Sequence, residues 1–145
     1  MNEEEPNVLF IGTYPPRECG IATFTHDLIT AVGNAPSSYN PAIIAMNKNG
    51  VNIYNYPKNV LYQISDTSME DYIETAKRVN QMDSVKMVCV QHEFGIFGGE
   101  FGDSLLAFLE ILQKPTIVTF HSVLPTPSQR LKQVVRAIAD KVKAI

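Results

Sequence analysis

The sequence predicts an α/β fold, a doubly wound, all-parallel sheet with strand order 3-2-1-4-5 in one domain. Short, continuous apolar runs recur along the chain, and runs of that kind are buried on both faces inside a parallel sheet. Segments with helical apolar spacing lie between most of them, which implies right-handed crossovers. The 145 residues suffice for one core of ordinary size and not for two.

Residues 1–6 are polar and acidic and are expected to be mobile. Val8 to Ile11 is too short and too continuous for an amphipathic helix, so it reads as the first strand. After the loop from Gly12 to Gly20, the residues Ile21, Phe24, Leu28, Ile29 and Val32 mark a helix, with Gly33 expected as a left-handed cap. Pro41 to Met46 reads as the second strand, 47–57 as an irregular segment with a short hairpin, and Val60 to Ile64 as the third strand. Thr67-Ser-Met-Glu70 has the form of a capping box before the stripe Met69, Tyr72, Ile73, Ala76 and Val79. Val85 to Val90 is the fourth strand. A loop from Gln91 to Gly102 follows, with four glycines in twelve residues, and then a short buried helix headed by Asp103. Thr116 to Phe120 is the fifth strand. Ser128 is expected to cap a last helix that carries Leu131, Val134, Val135, Ile138, Val142 and Ile145 on one face.

Composition narrows the function classes. A net charge of -3 gives no general attraction to nucleic acid. No apolar run approaches the roughly 20 residues that cross a bilayer, and the acidic start is unlike a signal peptide, so a cytoplasmic protein is expected. Cys19 and Cys89 have neither metal-ligand spacing nor a disulfide framework and read as free thiols. The loop 12–20 matches neither a dinucleotide fingerprint nor a P-loop.

That loop nonetheless has the chemistry of an anion site. It leads from a strand into a helix whose free N–H groups and positive dipole end face the crevice at the sheet's carboxyl edge, and it carries Arg17 and the bare Gly20. In the order 3-2-1-4-5 the first and fourth strands are neighbours at the switch point, so this loop and the loop 91–102 face each other with His121 beside them. Convergence of three unusual segments on one crevice is what a binding site requires.

The strand ending in Gly12-Thr-Tyr-Pro-Pro16, the Cys19-Gly20 opening of the first helix, Gln91-His92-Glu93-Phe94-Gly95 and Thr119-Phe120-His121 together resemble the N-terminal half of a retaining glycosyltransferase of the GT-B class, family 4. The resemblance covers nearly the whole chain. It implies a Rossmann-like domain that holds the acceptor, followed after Ile145 by a C-terminal domain that holds the nucleotide sugar; the present chain is then expected to be truncated. The implied reaction moves a hexose from a nucleotide sugar to a carbohydrate or lipid-linked acceptor. It needs no metal and no cofactor besides the donor co-substrate. The family's glycine pair falls on Cys19 and Gly20, so one glycine is kept, and the backbone of Gly20 or Ile21 is expected to meet the donor diphosphate. Arg17 is placed to pair with phosphate or an acidic acceptor. The resemblance makes His121 the catalytic candidate, hydrogen-bonding the donor sugar near the reacting carbon. It puts His92, Glu93, Phe94 and Gly95 around the acceptor pocket, with Gly98 and Gly99 as its lip.

From the residues alone, a stand-alone flavodoxin-like module that binds a small anion without catalysis is the alternative expectation. The last helix adds a third. Arg130, Lys132, Arg136, Lys141 and Lys143 stand against a single Asp140, a basic face that reads first as the solvated side of a core-packing helix and alternatively as weak peripheral attachment to anionic lipid at the inner membrane face.

Overall fold

The computed structural model describes residues 4–145; of the mobile N-terminus expected over 1–6, the first three residues lie outside that range. Five strands form one parallel sheet: β1 (Val8–Gly12), β2 (Pro41–Asn47), β3 (Val60–Ser65), β4 (Met87–His92) and β5 (Thr116–Phe120). Their order is β3-β2-β1-β4-β5, as predicted. The helices are α1 (Gly20–Gly33), α2 (Met69–Asn80), α3 (Leu105–Ile111) and α4 (Gln129–Ala139). A single 3-10 turn at Glu100–Gly102 precedes α3.

Period-two alternation along the strands sorts the core into two layers. Leu9 and Ile11 of β1, Val88 and Val90 of β4, and Val118 of β5 pack with Tyr72, Ala76, Phe108, Val134 and Ile138 of α2, α3 and α4. Val8 and Phe10 face the opposite way, against Leu28, Ile29 and Val32 of α1. The sheet is therefore covered on both faces, which is why its strands read as continuous apolar runs.

Several boundaries differ from the sequence reading, each for a local reason. Gly33 is the last helical residue and not a left-handed cap: Asn34 closes α1 at φ -91° by donating its N–H to Thr30 and Val32 carbonyls. The cap of α2 falls one residue later than the expected box. Ser68 accepts from the Asp71 N–H, while the Asp71 carboxylate reaches back to the Ser65 N–H at 2.9 Å. The segment 48–57 forms no hairpin; its backbone is held by side chains, with Asn49 N–H on Asp66 and Asn52 N–H on Gln63. Asp103 does not head α3. Its carboxylate accepts the Glu100 N–H and pairs with Arg130.

The two largest differences lie at the ends of β4 and α4. Strand β4 runs from 87 to 92 rather than 85 to 90, because Gln91 and His92 continue the ladder to Thr119 and Phe120. Helix α4 stops at Ala139. Beyond it, Lys143 N–H donates to the Thr116 carbonyl at 2.7 Å, Val118 N–H donates to Ala144 at 3.0 Å, and Ala144 bridges Ile117 in parallel. The open edge of β5 offers unpaired backbone groups, and ladder bonds there replace further turns of helix. Among the described residues no helix is long and apolar enough to cross a membrane.

Candidate functional site

The register across the carboxyl edge of the sheet places Gly12, Gln91 and His121 in one row. Phe10 pairs with Cys89 and Gln91 with Thr119, so alternation carries Gly12, Gln91 and His121 to the face occupied by α1. A Cβ on Gly12 would stand 3.1 Å from the Gln91 Cβ. Gly12, with no side chain, thus lets the end of β4 close against β1.

His121 follows β5 directly. Its backbone N–H donates to the His92 carbonyl at 2.8 Å, which fixes the chain as it leaves the sheet. Its Nε2 lies 2.9 Å from Oε1 of Gln91, and its ring meets Phe24 of α1 edge-on at 4.8 Å. Desolvation lowers the ring's proton affinity, and the Glu93 carboxylate partly opposes that shift. With Nε2 donating to the amide oxygen, Nδ1 is left as an acceptor on a half-buried imidazole.

The loop from Thr13 to Cys19 leads from β1 into α1 and contains a cis peptide between Pro15 and Pro16. Cys19 is the N-cap of α1. Its Sγ accepts the Ala22 N–H at 3.4 Å and lies 3.1 Å from Thr13 Oγ1. The thiol therefore occupies the capping position that serine or threonine fills in most helices. The first two amides of the helix, Gly20 and Ile21, donate to no other group among the described residues. Apart from its chain neighbours and the backbone of its own helical turn, nothing lies within 4 Å of where a Gly20 Cβ would sit. Space and free donors coincide there, and no packing constraint accounts for the missing side chain. Arg17 points elsewhere: its Nη1 donates to the Met46 carbonyl at 3.0 Å, at the end of β2.

The second loop is less uniform than its composition suggests. His92 lies on the opposite face from Gln91 and is 1% exposed, so it cannot shape an acceptor pocket by direct contact. Phe97 stacks on it at 5.4 Å, and Phe94 and Phe120 meet it edge-on. Both ring nitrogens lack a hydrogen-bond partner. Burial lowers its pKa to about 4. Glu93 and the Gly102 amide beside the ring oppose that shift, the amide without reaching hydrogen-bond geometry. Glu93 itself turns back to accept the Gly95 N–H at 2.8 Å.

Gly98 and Gly99 form a tightly turned segment. A Cβ on Gly98 would fall 1.9 Å from the Asp66 carbonyl oxygen, and its N–H donates to the Tyr72 hydroxyl at 3.1 Å. Gly99, at φ +82°, would strike Asp103. Gly98 packs the loop onto the turn between β3 and α2, where the Tyr72 hydroxyl also donates to Asp66; burial is the main reason that hydroxyl's pKa is pushed up to about 12.

The residues that come together are thus Gln91, His121 and Phe24, with Glu93 near enough to act on His121, while Gly20 and Ile21 open the helix that carries Phe24. Gln91 and Phe24 were not singled out by the sequence. Extending the fourth strand by two residues exposes the signal: Gln91 then shares parity with Cys89, on the face toward α1. No group of three or more His, Cys, Asp or Glu side chains among the described residues could hold a metal ion. Comparison with protein-family models, curated proteins and solved structures returns no match.

Proposed function

We propose that this chain is the acceptor-side half of a GT-B retaining hexosyltransferase, with its crevice between the loop 13–19 and His121. The observation that carries the reading is the held imidazole at the end of β5. His121 has one nitrogen engaged by a buried amide and the other free, and the helix that carries its neighbour Phe24 opens with two unengaged N–H groups. In this reading Gly20 and Ile21 meet the donor diphosphate, and His121 Nδ1 accepts a hydroxyl of the transferring sugar. The contribution to rate is orientation and electrostatic stabilisation, since no side chain in the row is an evident nucleophile.

The donor's nucleotide then needs a second domain. The test is the coding frame past Ile145, together with incubation of this chain with nucleotide sugars. A following α/β domain of roughly 200 residues and no turnover by the isolated chain support the reading. A stop codon, or multiple turnover by the chain alone, overturns it in favour of a flavodoxin-like anion module or a self-sufficient enzyme respectively. A peripheral contact with anionic lipid belongs to the same reading, carried by α4.

A further inference from the structure

A pocket of about 220 Å³ lies between the loop after β5 and helix α4, bordered by Phe94 and by two of the α4 cations that the lipid contact above would also use. Phe94, Phe120, Leu131 and Val135 line its apolar part, and Ser122 is the one hydroxyl on its border. Hydrocarbon is therefore what its interior can accept without leaving polar groups unpaired. The volume is below the roughly 300–1,000 Å³ of sites that enclose a drug-sized ligand, so it takes one part of a molecule.

Two cations, Lys132 and Arg136, border the same pocket one helical turn apart. Both are exposed, and among the described residues neither side chain makes an ion pair or hydrogen bond. Their neighbours differ: Arg130 is engaged by Glu100 and Asp103, and Lys141 by Glu110. No carboxylate lines the pocket. Val123 and Leu124, 83% and 49% exposed, extend its apolar border onto the surface.

We propose that this pocket binds a single-chain amphiphile, its alkyl chain against Phe94, Phe120, Leu131 and Val135 and its phosphate held by Lys132 and Arg136. The guanidinium presents a two-pronged donor set that fits phosphate oxygens, and the ammonium adds a second charge beside it. Anchor and charge lie on adjoining sides of one helix, so a ligand with both parts satisfies them together. The inference stands apart from the transfer reading, because binding is a property of this chain whether or not a sugar is moved.

Titration calorimetry of the chain with octyl phosphate, octanol and inorganic phosphate, all as monomers, tests it. Octyl phosphate is expected to bind at least about tenfold more tightly than either half alone, as two partly screened charge contacts allow. The double variant Lys132→Glu, Arg136→Glu changes two exposed side chains; it should remove the preference for octyl phosphate over octanol while octanol binding persists. Val135→Trp, which fills the pocket, should abolish both. Equal affinity for octanol and octyl phosphate, equal affinity for inorganic phosphate, or indifference to the double variant would each overturn the proposal. So would sedimentation showing that a second copy of the chain covers the pocket in place of the ligand.

Discussion

Oε1 of Gln91 stands 2.9 Å from Nε2 of His121, thirty residues away along the chain and just past the end of the neighbouring strand. A buried amide facing an imidazole selects one tautomer, the proton on Nε2 and the lone pair on Nδ1. Gln91 is 1% exposed and held in the β4–β5 ladder opposite Thr119, so the preference is built into the sheet.

Replacing Gln91 with leucine keeps the volume and removes the acceptor. Long-range nitrogen–proton spectra of the unchanged protein should show His121 protonated at Nε2 when neutral, and Gln91→Leu should give a mixture of both tautomers. An unchanged tautomer in the variant would show that Phe24 and the backbone, not the amide, orient the ring.

His92 makes the fold acid-sensitive. An unfolded histidine takes its proton near pH 6.5, whereas the buried ring resists until about pH 4. Between those values the unfolded chain binds more protons, so stability declines as pH falls through that window, by about 3 kcal/mol in all. His121, shifted in the same direction, adds to the decline. Urea midpoints at pH 7 and pH 4.5 should differ far less in His92→Leu than in the unchanged chain; an equal drop in both would remove His92 as the cause.

Gly98→Ala tests whether the glycine pair is structural. The added methyl would meet the Asp66 carbonyl at 1.9 Å, a backbone contact that cannot swing aside. A loss of about 2–3 kcal/mol in thermal or urea unfolding is expected, as for overpacked cores. A neutral effect would mean the loop moves freely, as a pocket lip would.

At the start of α1, Cys19→Ser should leave stability unchanged or raise it, and Cys19→Ala should lower it by about 1 kcal/mol, because the thiol is the cap for the Ala22 N–H. Equal stability of all three proteins would show the 3.4 Å sulfur contact to be idle.

Lipid contact rests on fewer charges than the sequence suggested. With Arg130 and Lys141 paired to carboxylates, Lys132, Arg136 and Lys143 remain on or after α4. Sedimentation with vesicles should show weak binding to anionic lipid that fades as salt rises, and none to neutral lipid. Equal binding to both, or none at low salt, would leave no role for the basic face in attachment.

The sequence by itself determined the strand order, the five strands and the helices between them. Continuous apolar runs such as Val8–Ile11 and Pro41–Met46, too short for helices, fit strands buried on both faces of a parallel sheet. It also determined which segments meet at the switch point. Only tertiary structure decided which side chains of those segments face one another. The ladder between β4 and β5 carries the strand two residues past its last apolar residue, and since alternation has period two, His92 goes into the core and Gln91 to the site. Glycines are ambiguous for the same reason. Gly20 has open space around it and Gly98 has a carbonyl 1.9 Å from its missing Cβ, a difference set by chain segments remote in sequence. The end of α4 was decided at a distance too, by the open backbone of β5 that takes up Lys143 and Ala144.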